Sequence, residues 1–238
     1  MKRTTQTLGA MTLALAFAVS SASAQQGAGN NDTKNFAVDA DVAAAVDILS
    51  TAASLADYGY ANNSAELLVA AAKLLIDNPA SGMMDLEDGE VENAGGGGDS
   101  KSGDMVELDA EALLAAAAGM TSDANMQAVI ASMQSAAGQS KGVTTGAGSV
   151  SRRIDANSTR NFWLRDLSGG EYARVDVRGD GDTDLDCWLY DDNGNLIDSD
   201  TDYTDWCILE VNPLWTGAFR IQVVNLGSVW NGAQITWN

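Results

Sequence analysis

Histidine is absent from the 238-residue chain, and cysteine and proline occur only twice each. Without an imidazole the usual base of Ser-His-Asp and Cys-His catalysis is missing, and so is the commonest zinc ligand. Positive charge is scarce as well: 13 Lys and Arg stand against 33 Asp and Glu, for a formal charge of −20. Such a balance repels nucleic acid and anionic lipid, so neither is an expected partner. Ser-Lys chemistry would need Lys101 or Lys141, and both fall in loop-like stretches. Carboxylate pairs of the glycosidase kind are everywhere and none is singled out. The glycines at 95–98 sit among acids, the wrong company for a phosphate cradle. The expectation is a protein without enzymatic activity.

Long apolar runs are missing too. The one at residues 11–19 is too short to cross a bilayer, follows Lys2 and Arg3, and precedes the small residues Ala22, Ser23 and Ala24. This is the grammar of a secretory signal peptide over residues 1–24, cleaved before Gln25. No transmembrane segment is expected after cleavage. Loss of Lys2 and Arg3 takes the formal charge from −20 to −22. A strongly acidic, exported protein, secreted or periplasmic, is the expected product.

Residues 25–35 are polar and read as a disordered N-terminus. An alanine-rich helical region at 36–138 follows. Val42, Val46, Leu49, Ala53 and Ala56 recur at three- and four-residue spacing, with Asp39 and Asp41 at the start and residues 58–60 at the end. Asn63 and Glu66 make a capping pair for a second helix, whose stripe is Leu67, Leu68, Ala71, Leu74 and Leu75, stopped at Asn78 and Pro79. Residues 80–104 are acidic, then glycine-rich, and read as a mobile loop. Two more helices are expected at 108–118 and 122–137, burying Leu113, Leu114, Met126, Val129, Ile130 and Met133. The region is expected to form a small bundle. Residues 139–149, rich in Gly, Ser and Thr, read as a linker.

Beyond residue 150 the composition changes: all six tryptophans and both cysteines lie there. Short period-2 segments appear at 161–167, 172–178, 185–190, 206–211, 218–225 and 233–237, and Asn193-Gly194 signals a hairpin turn. They predict an antiparallel β-sandwich over 150–238, and for the whole chain an α+β two-part organisation. Phe162, Leu164, Val175, Val177, Leu185, Leu189, Leu209, Val211, Phe219, Ile221 and Val223 share the inward phase. Cys187 has the phase of Leu185, and Cys207 that of Leu209. In an exported chain the two are expected to pair as a disulfide worth roughly 3 kcal/mol.

The run DTDLDCWLYDDNGNLI at 182–197, then Asn212-Pro213 and WTGAFRIQVVN at 215–225, resembles the bacterial pre-peptidase C-terminal domain. The likeness covers about residues 149–238. It implies a secreted, non-catalytic, jelly-roll-like β-sandwich, usually appended to a hydrolase and sometimes associated with calcium. Here only the helical region precedes it, which leaves a processing role on a protease without its protease.

Two sites follow from the strand at 185–190. Asp182, Asp184, Asp186, Asp200 and Asp202 offer the oxygen ligands that Ca²⁺ takes, although the spacing is not that of an EF-hand. The competing reading is an acid-rich edge that keeps strands soluble. Trp188, Tyr190 and Trp206 carry the outward phase and are expected to form a ligand platform, unless helices or a loop cover that face. The functional expectation is a binding protein of the envelope or extracellular space, calcium-stabilised at those aspartates. The alternatives are a carbohydrate-binding module that takes a polysaccharide on those aromatics, and a secretion or assembly accessory whose helices bind a protein.

Overall fold

The computed structural model describes residues 29–34, 36–79, 86–92, 101, 105, 108–137 and 147–238. The expected leader at 1–24, and residues 139–146 of the expected linker, lie outside them. Helix α1 (Ala40–Ala61) starts where Asp39 accepts hydrogen bonds from the Asp41 and Val42 amides, and it runs on through the residues expected to end it. Helix α2 (Ala65–Asp77) is capped by Ser64, one residue later than the pattern suggested, because Asn63 takes a left-handed turn conformation at φ 50°. Helix α3 (Ala110–Met120) begins at the Asp109 cap, and α4 (Ala124–Ala137) follows Asp123, whose carboxylate takes the Asn125 and Met126 amides.

Small residues set how closely these helices pack. A Cβ on Gly59 would lie 2.6 Å from Leu68 Cδ2, so the Leu68 side chain of α2 packs directly against the α1 backbone at Gly59. Ala56, Leu68, Ala71, Leu113, Leu114 and Ile130 close the bundle core. Val129, expected inside, is exposed, while Met126 and Met133 pack only at the margin.

The C-terminal part is a two-sheet antiparallel sandwich. One sheet has the order β1-β3-β8-β5-β6 and the other β2-β9-β4-β7. The strands are β1 (Leu86–Glu92), β2 (Gly148–Ile154), β3 (Thr159–Leu167), β4 (Ala173–Arg178), β5 (Leu185–Asp191), β6 (Leu196–Asp200), β7 (Trp206–Val211), β8 (Gly217–Asn225) and β9 (Asn231–Trp237). All eleven residues given the inward phase are buried in one core. Cys187 on β5 and Cys207 on β7 form a disulfide across that core, their Cα atoms 6.1 Å apart, and tie one sheet to the other.

Three stretches differ from the sequence expectation. Leu86–Glu92, read as part of a loop, pairs antiparallel with β3 as an edge strand. Only Leu86 of its side chains is buried; the attachment is by backbone and by ion pairs of Asp88 with Arg152 and Arg160. Strand β2 begins at Gly148, inside the expected linker. In the expected disordered N-terminus, Asn31 is fully buried. Its side chain takes the Trp215 amide at 3.0 Å and donates to the Trp215 carbonyl at 2.9 Å, while its own amide donates to Asp191 at 3.0 Å.

Helix α1 lies over β4 and β9 and closes the outer side of the four-stranded sheet. The seam is polar. Ser50 Oγ donates to Asp176 Oδ2 at 3.0 Å, and Arg174 bridges Asp176 at 2.7 Å and Asp47 at 2.8 Å. Asp176 is fully buried by this arrangement, which is why β4 is buried on both faces despite its alternating polar residues.

Candidate functional site

With one sheet closed by α1, the outer face of the five-stranded sheet is the side left open for a partner among the described residues. Strand register places its side chains in rows. Trp163 on β3 is opposite Arg220 on β8, and Arg220 is opposite Tyr190 on β5. The next row is Asn161, Gln222 and Trp188, on the same three strands. Adjacent strands are about 4.8 Å apart, so Trp163 and Tyr190 stand about 10 Å from each other. Trp163, Trp188 and Tyr190 are all half-buried.

Arginines hold these rings. The Arg165 guanidinium lies 4.8 Å from the Trp163 ring centroid, and that of Arg220 lies 4.4 Å from the Tyr190 ring. Arg220 Nη1 also donates to Asn161 Oδ1 at 2.8 Å, while Asn161 Nδ2 donates to the Glu90 carbonyl at 3.1 Å and the Glu92 carboxylate at 3.0 Å. Strand β1 thus builds one wall of an open groove of about 530 Å³, floored by Trp163, Arg165 and Arg220. Rings that offer an edge and part of a face, between donors and acceptors fixed by their neighbours, suit a ligand that is apolar on its faces and hydroxylated at its rim.

The three expected platform residues do not share this face. Trp188 and Tyr190 belong to it. Trp206 lies on β7 of the other sheet, paired with Arg178 in register and covered by its guanidinium at 5.3 Å. The alternation predicts phase within a strand, but it does not say which sheet a strand joins. Trp163, Asn161 and Arg220 were missed, although the inward phase of Phe162 and Leu164 already turned Trp163 outward.

The five expected calcium ligands do not assemble either. Among the described residues no group of three or more Asp, Glu, Cys or His is placed to hold a metal ion. Asp182 pairs with Lys101 Nζ at 2.5 Å. Asp200 Oδ2 accepts the Ile208 amide at 2.9 Å, and Asp198 Oδ2 accepts the Glu210 amide at 2.8 Å, so β6 carboxylates cap an edge of β7. Asp202 closes a turn on the Thr204 amide and hydroxyl at 2.7 Å. Asp184 keeps one buried oxygen without a hydrogen bond among the described residues. Burial, then the charges of Asp184, Asp200 and Asp202, push the Asp186 carboxyl above the usual range. The acids are close enough to repel without sharing a coordination point.

No family model and no curated protein matches the chain. Solved structures share only a distant likeness. The pre-peptidase C-terminal domain of a collagenase from Bacillus anthracis is 9% identical, over 38% of this chain and 87% of that one, with a TM-score of 0.30. A carbohydrate-binding module of Cellvibrio mixtus lichenase 5A, in complex with cellotriose, is 10% identical over 37% of this chain and 86% of that one, at 0.23. The module TmCBM61, in complex with β-1,4-galactotriose, is 16% identical over 38% and 69%, at 0.26. At such distance the resemblance reaches no further than β-sandwich architecture and carries no functional argument. No described helix is long and apolar enough to cross a membrane.

Proposed function

We propose that the chain is an exported, non-catalytic binding protein of the envelope or extracellular space, and that the open sheet face takes a polysaccharide. The observation that carries the reading is the placement of Trp163 and Tyr190 two strands apart with Arg220 between them, on the face that α1 leaves uncovered. Two aromatic rings at that spacing, separated by a fixed donor, match the span of two linked sugar rings. The leader-like residues 1–24 and the inter-sheet disulfide support export.

Pull-down and tryptophan-fluorescence titration with insoluble and soluble cell-wall and extracellular polysaccharides test it. Trp163→Ala and Tyr190→Ala are each expected to weaken binding by roughly 2–10-fold, the worth of one aromatic contact. Trp206→Ala, on the other side of the molecule, is expected to leave it unchanged. Binding to none of the polysaccharides, or equal loss in all three variants, would sink the reading. Co-purification of a protein lost with the same two substitutions would transfer the face to the protein-partner alternative.

A further inference from the structure

Between α1 and the four-stranded sheet the packing leaves a cavity of about 200 Å³. Asp57 reaches it from α1, Arg178 from the end of β4, and Asp180 from the turn that follows. Ala53, Ala56 and Trp230 supply part of the apolar wall. This place is distinct from the open face, since it lies on the opposite sheet.

Three polar groups line it without a hydrogen bond there among the described residues, and two of them are buried. Arg178 Nε and Asp180 Oδ1 are buried and make no hydrogen bond. Among the described residues no hydrogen bond or ion pair holds the half-buried Asp57 carboxylate, whose state is set by burial and by neighbouring charges. Other groups at the cavity are already engaged. Lys101 Nζ is held by Asp180 Oδ2 and Asp182 Oδ2, each at 2.5 Å, and lies 4.2 Å from the Trp230 ring centroid. The Gln234 amide donates to Ser149 Oγ at 2.5 Å and accepts from Ser151 Oγ at 2.6 Å. Native proteins leave few buried polar atoms unpaired, and a void kept empty is lined by apolar groups. This void instead has a carboxylate on the helix, a guanidinium on the strand, and a second carboxylate oxygen beside them.

We propose that the cavity is a binding site for a compact zwitterion of the amino-acid class, with its ammonium toward Asp57 and Asp180 Oδ1 and its carboxylate toward Arg178. An anion alone would sit against Asp57 and Asp180, and a cation alone against Arg178 and Lys101. Only a molecule bearing both charges pairs with both walls. The volume equals that of about six or seven waters at roughly 30 Å³ each, room for a small amino acid and little more. Burial, with Asp180 and Asp205 adding to it and Arg178 and Lys101 opposing, raises Asp57 to about 6. An ammonium there stabilises the ionised carboxylate, so affinity should fall as pH drops through about 6, by up to tenfold per unit.

The test is thermal melting and calorimetry of the full mature chain with glycine, L-alanine and L-serine as probes at millimolar concentration and neutral pH. At least one probe should raise Tm in the concentration-dependent way of a native-state ligand. Its methyl ester, which lacks the carboxylate, and its N-acetyl form, which lacks the ammonium, should not. Asp57→Asn and Arg178→Gln should each weaken binding roughly tenfold or more, as loss of a charge-assisted pair does. Arg178 also covers Trp206; should Arg178→Gln fail to fold, the nearly isosteric Asp57→Asn decides. Three outcomes overturn the proposal: no shift with any of the three amino acids, a shift equal for the ester or N-acetyl form, or a shift that survives Asp57→Asn.

Discussion

Asp176 shows what single residues do here. It is fully buried, yet it accepts from Ser50 on a helix 126 positions earlier and from Arg174 two positions before it. Asp176→Ala leaves Arg174 with only the exposed Asp47 as its carboxylate partner in the seam and should cost about 3 kcal/mol, toward the low end for breaking a buried pair, read by urea unfolding. Asp186 works in the opposite direction. Its folded-state pKa is raised, first by burial and then by Asp184, Asp200 and Asp202. In the window between its unfolded and folded pKa values the native state binds more protons than the unfolded chain, so stability falls as pH rises through that window. Asp186→Asn is therefore expected to melt higher than the parent at neutral pH, and to lose that advantage as pH falls to the ordinary carboxylate range. The phase of Cys187 and Cys207 was legible residue by residue, because a buried sulfur alternates with its apolar neighbours. The partner of Asp176 was not, because alternation reports only that a side chain leaves the core, not what meets it outside.

At the scale of elements the same asymmetry holds. Strands β3, β5, β7 and β8 could be read from their buried rows, since Phe162, Leu189, Leu209 and Ile221 all recur with period two. Strand β1 could not. Its sequence LEDGEVE has one buried side chain and is held by backbone pairing and by arginines far along the chain. An edge strand that is polar and charged blunts aggregation, and the same composition disguises it as loop. Gly89 marks its irregular register with β3, which shifts between Asp88 and Val91. A Cβ at that position would stand 2.9 Å from the Asn161 carbonyl oxygen, a backbone atom that has little room to retreat. Gly89→Ala should thus cost about 1–3 kcal/mol, as overpacking does. Hydrogen exchange should show the loss first in β1 and in the Asn161 neighbourhood. Because Asn161 fixes Arg220, the same substitution should also weaken any ligand held on the open face.

Taken whole, the molecule has a division of labour that neither half shows alone. The helical layer closes one sheet and leaves the other open, so the seam decides which face is available for binding. Residues 31–33 add a strap: Asn31 fills the 212–215 loop and Thr33 donates to the Asn212 carbonyl at 2.8 Å. A reading of 150–238 as a self-contained unit therefore omits Gly148 and Ser149 of β2, all of β1, the strap, and the helix that buries Asp176 and Arg174. Without α1, Arg174 and Asp176 return to solvent along with the buried Gln234 and Thr236 of β9, and the edge of β3 is bared where β1 was paired. Losses of two or more kcal/mol translate into roughly 10 °C or more for a domain of this fragment's size. The fragment 147–238 is accordingly expected to melt at least that far below the full mature chain. A fragment that kept the parent Tm would mean that the seam contributes nothing to the sandwich, and the role assigned to α1 in leaving a single face open would fall with it.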